Sequence, residues 1–294
     1  MGTRNTQLTV AVIGCGTLGT AIAAGILDPK DNEAYQIKRL VCTVGTESSQ
    51  RRVETVFANH GSRLTVFTAE HNVRAVQEAD VVLLAFKPFK RAEVFEIPEF
   101  KEALRDKVII SIMAGIMTSE LSRLSFGEQV VSKGEASLQS VRAMPNMAAR
   151  IREAVTLYTS SPGTSKENMD FASWIFSQVG EAYPIPEKSF DICAVLVGCA
   201  GSLLLLAIDG LLDAAVAEGV RRPEVQNLVV NSAIGMMKLV PAGDHPGVLR
   251  EKIASPGGCS IRALLELEKL GVRSAFTSAI LAAAEKSKNM SSTR

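Results

Sequence analysis

The sequence predicts an α/β chain in two parts, a doubly wound parallel sheet followed by an all-helical segment. Three observations carry this expectation. Short apolar runs that read as strands recur up to Pro184 and alternate with helical stretches, as in a sheet covered on both faces. A glycine-rich turn, Gly14-Cys15-Gly16-Thr17-Leu18-Gly19, joins the first strand to the first helix. Beyond Pro184 and Pro186 the strand signal stops, which puts the domain boundary after residue 186. The expected domains are therefore 1–186 and 187–294.

The first strand is LTVAVI, residues 8–13, and the helix after the glycine turn runs to Leu27. A second strand is Arg39–Thr43, followed by a helix over Glu47–Asn59 and a short strand at Leu64–Phe67. Asp80–Ala85 and Lys107–Ile112 are apolar strands, and Val141–Met144 and Ala154–Tyr158 extend the pattern. Ser165–Gln178 reads as a capped helix and Glu181–Pro184 as a last strand. Helices are expected over Ser189–Glu218, Pro223–Val240, Gly247–Ala254, Ser260–Leu270 and Arg273–Lys288, with Ser291–Arg294 as a disordered tail.

A length of 294 residues fits two domains, and 47% hydrophobic residues leave ample material for a core. A formal charge of +1 and 5% aromatic residues give no basis for a nucleic-acid partner. The five cysteines form no C-x-x-C pair and the three histidines are scattered, so no zinc site is expected. Unpaired thiols in a chain of this length fit a reducing compartment, and a cytoplasmic protein is expected. The N-terminus lacks a secretory pattern. Met1-Gly2 with Thr6 matches the N-myristoylation pattern, but no basic cluster or second lipid signal accompanies it. Ile192 to Ile208 is an uncharged stretch of 17 residues, at the lower limit for crossing a bilayer. Asp191, Asp209 and Asp213 flank it on the same helix, so the expectation is a helix buried in a core or a subunit interface, with no membrane. The rest of the helical domain is small for enclosing such a helix, which predicts a homodimer.

The turn Gly14-x-Gly16-x-x-Gly19 follows a strand and opens a helix, the context of a dinucleotide fingerprint and hence of a Rossmann-type domain. Gly14 allows the tight turn, Gly16 lets a pyrophosphate approach the backbone, and Gly19 lets helix and strand pack closely. Thr17 and Leu18 lie at the helix N-terminus, where unpaired N–H groups face a phosphate. The second strand ends Val41-Cys42-Thr43-Val44-Gly45, without the carboxylate of an NAD site. Thr43, Thr46 and Ser48 offer hydroxyls, and Arg51 and Arg52 either meet a 2′-phosphate or form a solvated helix face. NADPH is the expected cofactor, with NADH a weaker alternative. Two more loops follow strand ends, where such sheets bind ligands. Ala85-Phe86-Lys87-Pro88 brings Ala85, Lys87 and Pro88 to the cofactor, and Met113-Ala114-Gly115 brings Ala114.

At Ser255-Pro256-Gly257-Gly258-Cys259-Ser260 a tight turn runs into a helix that Ser260 can cap. The loop offers backbone N–H groups at a positive helix end, suited to a small carboxylate. Here the chain resembles the pyrroline-5-carboxylate reductases. The matching stretches are AVIGCGTLGTAIAAGIL, LAFKP, SIMAGI, VRAMPNMAA, LLDAAVAEGV and SPGGCSIRALLELEKLGVRSAFTSAILAAAEKS, in the family order along nearly the whole chain. The resemblance implies reduction of a cyclic imine, 1-pyrroline-5-carboxylate, to proline, usually with NADPH. It also implies interlocked dimers, often assembled as rings of five.

Three departures stand out. Ser260 replaces a usual Thr, Gly198-Cys199-Ala200-Gly201-Ser202-Leu203 replaces G-S-G-P-A-[YF], and Gly243-Asp244 precede His245-Pro246. For this chemistry Ser260 is expected at the imine nitrogen, as the catalytic residue. Ser255, Gly257, Gly258, Cys259 and Ser260 are expected to hold the substrate, and Asn146 the nicotinamide edge or its ribose. Alternatives are a different cyclic imine, a catalytically idle NADPH-binding scaffold, and a hydroxyacid dehydrogenase. The last relies on a helical-domain lysine, and no Lys occurs from Ile192 to Glu218.

Overall fold

The computed structural model describes residues 7–30, 34–128, 131 and 138–292, with side chains to residue 289. The Met1-Gly2-Thr6 acylation pattern lies outside the described residues. The strands are β1 (Gln7–Ile13), β2 (Gln36–Val44), β3 (Leu64–Thr68), β4 (Val81–Leu84), β5 (Val108–Ser111), β6 (Ser140–Pro145), β7 (Ala154–Ser160) and β8 (Gly180–Pro184). Between them lie α1 (Thr17–Leu27), α2 (Glu47–Val56), α3 (Asn72–Gln77), α4 (Arg91–Phe95), α5 (Pro98–Leu104), α6 (Thr118–Phe126) and α7 (Lys166–Ser177). Helices α8 (Glu187–Ala217), α9 (Arg222–Met237), α10 (Pro246–Ile253), α11 (Cys259–Lys269) and α12 (Val272–Ser292) follow.

The strands form one sheet in the order β3-β2-β1-β4-β5-β6-β7-β8. The chain winds outward from β1 to β3, then crosses back to β4, so the switch point lies between β1 and β4. Alternation along β1 supplies both faces of the core. Val10 and Val12 pack on one side with Ile22 and Ile26 of α1 and Phe176 of α7. Ala11 and Ile13 pack on the other with Val76 of α3, Phe100 of α5 and Leu121 of α6. Each large side chain buried this way stabilises by roughly 1.5–3 kcal/mol.

The structure corrects the sequence reading at several places. The sheet was expected to be wholly parallel, but β6 and β7 pair antiparallel. Their connection, Asn146 to Glu153, is far shorter than the dozen or more residues a parallel crossover needs. The helix expected to reach Asn59 stops at Val56, because a short 3-10 segment with Gly61 at φ 53° follows. Helices α3 to α6 fall in stretches without an expected element, and each is too short for its apolar period to stand out. The expected tail from Ser291 is helical through Ser292.

Contacts divide the chain into two compact units, 1–198 with 286–294, and 199–285. Within the first, the opening turns of α8 pack Phe190 and Ala194 against Leu157 of β7. Arg142 of β6, buried beneath them, bonds Glu187 at 3.0 Å and Asp191 at 2.5 Å, with its guanidinium 4.3 Å from the Phe190 ring centre. The second unit buries little by itself. Leu205 is 67% and Leu206 71% exposed in the single chain, and Leu211, Leu228, Ile234 and Leu265 are also exposed. By length and composition α8 is also long and apolar enough to cross a membrane.

Among the described residues Arg152 alone, apart from glycines, adopts a positive φ, 61°. Its guanidinium donates to the carbonyls of Asp28 at 2.8 Å and Ala24 at 3.4 Å, closing the C-terminal end of α1. Charge and hydrogen bonds both favour a cation there. Arg152→Ala keeps the strained backbone and loses both bonds, and is expected to cost about 1–2 kcal/mol in thermal or urea unfolding. Arg152→Gly relieves the backbone and should recover roughly half of that loss.

Candidate functional site

The glycine turn is fixed by the end of β2. Parallel pairing sets Ile13 beside Thr43. The Thr43 carbonyl then accepts from the N–H of Gly14 at 3.1 Å and of Cys15 at 2.6 Å, and its hydroxyl accepts from Gly14 N–H at 3.2 Å. Gly14 sits at φ 86°, and a Cβ there would lie 2.6 Å from Phe86 Cβ. A Cβ on Gly19 would lie 3.3 Å from the Gly14 carbonyl and 3.5 Å from Ala85 Cβ, so this glycine closes helix against strand. A Cβ on Gly16 would meet only the Gly14 carbonyl, at 3.9 Å. Gly16 is the N-cap of α1 and carries no capping side chain, so the N–H groups of Thr17, Leu18 and Gly19 have no acceptor within the helix.

The glycine turn borders a cavity of about 440 Å³ at the switch point, whose lining does not include the expected Thr17, Leu18, Gly19, Pro88, Ala114 or Asn146. Of the expected cofactor residues, Gly14, Gly16, Thr43, Ala85 and Lys87 line it. The strand ends are held level there, with Ala85 N–H donating to the Ile13 carbonyl at 2.8 Å. Pro88 opens a 3-10 turn behind Lys87. Ala114, half-buried, follows β5 in a turn where Gly115 takes φ 76°. Asn146 caps the turn after β6, and its side-chain oxygen accepts from Val155 N–H at 3.3 Å. Its amide group is the donor it can offer a ligand.

The two neighbouring arginines separate. Arg51 is exposed and pairs with Glu47 at 3.3 Å, so it belongs to the solvated face of α2. Arg52 lines the cavity and donates to the Cys15 carbonyl at 3.3 Å. Thr46 is the N-cap of α2, accepting from Ser49 N–H at 3.2 Å and bonding Ser48 at 3.1 Å. Ser49 lines the cavity, as does Lys90. Thr43, only 1% exposed, bonds the glycine turn with its hydroxyl. The carboxylates Glu70 and Glu93 also reach the wall, so it is not uniformly basic.

Sequence reasoning missed Asn72. This residue opens α3 beyond the end of β3, lines the cavity and is only 6% exposed, yet its Oδ1 has no partner. A buried oxygen without a donor costs stability unless a ligand supplies one. With the unbonded N–H groups of α1, the cations and the open space at Gly16, it fits a dinucleotide. The signal available in the sequence was its position just past a strand end, but β3 alone gives no direction.

The second unit holds the other expected residues in one loop. Gly257 takes φ 71°, and Gly258 N–H donates to the Ser255 carbonyl at 3.0 Å. A Cβ on Gly258 would lie 2.5 Å from Ser255 Oγ. Helix α11 begins at Cys259 with Gly258 as its N-cap and no side-chain cap. Ser260 is therefore inside the first turn and does not cap the helix, which corrects that expectation. The Gly258 N–H is committed to the loop, so the N–H groups of Cys259, Ser260 and Ile261 are the ones a carboxylate can use. Ser260 lines an otherwise largely apolar cavity of about 450 Å³ with Met236, Leu249, Ile253 and Leu264. Of the divergent 198–203 stretch, Gly198 faces β6, where a Cβ would lie 3.8 Å from Met144 Cε.

Two family models match the chain. One, described as pyrroline-5-carboxylate reductase dimerisation, matches residues 187–290. The other, described as NADP oxidoreductase, coenzyme F420-dependent, matches residues 9–115. A pyrroline-5-carboxylate reductase of Lophium arboricola is 32% identical over 290 residues, covering 93% of this chain and 90% of that protein. One of Neurospora crassa is 33% identical over 302 residues, covering 94% and 91%. The solved structure of Plasmodium falciparum pyrroline carboxylate reductase with NADP bound matches with a TM-score of 0.81 at 26% identity, covering 99% of this chain and 100% of that one.

The orphaned oxygen of Asn72 yields a sharp expectation. Asn72→Ala should weaken dinucleotide binding by about fivefold to fiftyfold, about 1–2.3 kcal/mol, in a calorimetric titration. The same change should leave the melting temperature within about 2 °C, because it removes an oxygen that bonds no other group of the protein. A large fall in melting temperature with unchanged affinity would make Asn72 a structural residue.

Proposed function

The chain belongs to the pyrroline-5-carboxylate reductase family, and from that premise we propose that it reduces 1-pyrroline-5-carboxylate to L-proline with NADPH. It is an oxidoreductase that acts on a carbon–nitrogen double bond with a nicotinamide cofactor. The observation that carries the substrate reading is the start of α11. Its N-cap glycine supplies no side chain, and free N–H groups lie beside a half-buried hydroxyl, Ser260. A ring bearing one carboxylate and one imine nitrogen matches that pair of features.

In this reading the domains are 1–186 for the dinucleotide and 187–294 for dimerisation and substrate. The N–H groups of Thr17, Leu18 and Gly19 face the pyrophosphate, across the backbone of Gly14 and Gly16. Ser49 and Arg52 take the 2′-phosphate, while Thr43 holds the glycine turn. Lys87, with Ala85 and Pro88, and Ala114 border the nicotinamide half, and the Asn146 amide orients its edge or ribose. Asn72 closes the adenosine side. The N–H groups of Cys259 and Ser260 hold the substrate carboxylate, at the end of the loop formed by Ser255, Gly257 and Gly258.

When bound, the reduced nicotinamide supplies a hydride to the imine carbon. A cyclic imine protonates near neutral pH, so the chain needs no strong acid. Ser260 Oγ holds the imine nitrogen and its proton in place. Most of the rate gain comes from fixing the two reactants and excluding water. No histidine or lysine is required for the proton, which separates this chemistry from ketone reduction.

The helical segment forms a homodimer. We propose that α8 is covered by the partner subunit and lies in no membrane, and that such dimers assemble in rings of five. Asp209 and Asp213 both pair with Arg222, placing a charged network on the same helix. The five free thiols support a reducing, cytoplasmic compartment.

Two kinetic comparisons test the assignments. Ser260→Ala should lower kcat by roughly tenfold to a hundredfold, with NADPH affinity nearly unchanged, while Ser260→Thr keeps most activity. Wild-type turnover in the alanine variant would move the substrate contact to the loop backbone alone. NADPH should give the higher kcat/KM, and Arg52→Ala should reduce that value for NADPH by at least about fivefold more than for NADH. An equal loss with both cofactors would remove Arg52 from the 2′-phosphate.

A further inference from the structure

One wall of the dinucleotide cavity is a single stretch of chain with little of its own to hold it. After Ala85 and Phe86 it supplies Lys87, Lys90, Glu93, Val94 and Ile97 to the lining. The last four recur at the spacing of one helical face, so that face looks into the cavity. Phe86 is buried at one end of the stretch, and Val94 and Phe95 at the other. Between them, from Lys87 to Glu93, no residue is buried, and Phe89 is 75% exposed. Lys90 N–H donates to the Lys87 carbonyl at 2.9 Å, which closes the turn on itself.

Arg91 follows Lys90 by one position, about 100° round the helix, and does not line the cavity. Its Nε donates to Glu120 Oε1 of α6 at 2.9 Å, and its Nη1 donates to the Pro88 carbonyl at 3.3 Å. One guanidinium thus joins its own turn to a neighbouring helix. The pair is largely withdrawn from water, with side chains 19% and 21% exposed. Glu120 stands in the first turn of α6, where the helix dipole favours a carboxylate. That helix is firmly seated. Thr118, Leu121 and Ser122 are buried, as are Met113 and Ile116 in the loop before it. Ile112 N–H ties the same loop to the Leu84 carbonyl of β4 at 3.0 Å.

We propose that Arg91 and Glu120 are positioning residues for the cofactor. By bracing the Pro88 turn against α6, they hold Lys87 and Lys90 at the cavity wall, facing a bound dinucleotide. Neither residue touches the ligand; both act through the two lysines. Without the brace the turn samples positions in which the ammonium groups leave the wall, and binding must first restrict it. The inference rests on dinucleotide binding at this cavity and not on the choice of imine.

Charge alone predicts the opposite result at one partner. Removing the Glu120 carboxylate takes a negative charge from the neighbourhood of an anionic ligand, and simple attraction would then strengthen binding. Loss of the brace weakens it. The sign of the effect at Glu120 therefore separates positioning from the general field.

The test measures NADP⁺ affinity of the full chain by calorimetric titration, well below each melting temperature, for the wild type, Arg91→Met, Glu120→Ala and the double variant. Each single variant should bind about threefold to thirtyfold more weakly. The double variant should lose no more than the weaker single, because both changes remove one brace. Glu120→Gln keeps an oxygen for the Arg91 donor and should recover most of the affinity. Unchanged affinity in the single variants, tighter binding in Glu120→Ala, or losses that multiply in the double variant would overturn the proposal. So would a lower melting temperature with unchanged affinity, which makes the pair structural only. If Glu120→Ala does not fold, Glu120→Asp decides, since it shortens the brace at constant charge. It should bind about threefold more weakly, and wild-type affinity there overturns the proposal. A wild-type protein that binds no NADP⁺ removes the dinucleotide site itself, and the brace with it.

Discussion

The close approach of Gly14 to Phe86 is the constraint on which the rest of the site depends. Only a hydrogen fits where a Cβ would lie 2.6 Å from Phe86 Cβ, and only a residue tolerant of φ 86° makes that turn. The contact joins the end of β1 to the end of β4, the two strands that flank the switch point. Thr43 ties the same turn to β2 through three hydrogen bonds. With three strand ends fixed in this way, the N-terminus of α1, the Lys87 loop and the start of α2 have no choice but to face one cavity. Function enters through backbone geometry first, and side chains refine it.

The strands and the glycine turn were legible in the sequence because their signals are local. Apolar runs and a spaced triplet of glycines need no knowledge of the rest of the chain. Asn72 was not legible, because its role arises when β3, β2 and β1 lie side by side and bring a residue far along the chain to the glycine turn. Arg51 and Arg52 differ by one position, which turns the side chain by about 100° on a helix. Only the packing of α2 decides which one meets the cavity. The antiparallel β6–β7 pair was hidden for a different reason, since apolar strand content does not encode direction and the short Asn146–Glu153 connection does. Ser260 was misread as a cap because the residue that occupies the cap, Gly258, offers no side chain to signal it.

The helical unit has the opposite character. Its sequence announces helices plainly, yet a single copy leaves Leu205, Leu206 and Leu228 in solvent. An apolar surface of that kind is stable in water only when covered. In the proposed arrangement the homodimer partner supplies the cover, which makes the stability of this unit depend on concentration. The same unit carries the Ser255–Ser260 loop, to which the proposed function assigns the substrate carboxylate. The chemistry suits such an arrangement, because an imine that carries its own basicity asks for position and exclusion of water rather than a tuned acid.

The central claim is the proposed activity, an imine reductase selective for a five-membered ring with a carboxylate. The most direct measurement follows NADPH oxidation at 340 nm with 1-pyrroline-5-carboxylate beside the six-membered piperideine-carboxylates, with chiral analysis of the product. The account predicts rapid oxidation with the five-membered ring, L-proline as the product, and markedly lower kcat/KM with the larger rings. Tight NADPH binding without turnover of any cyclic imine, or a clear preference for a six-membered ring, would contradict it.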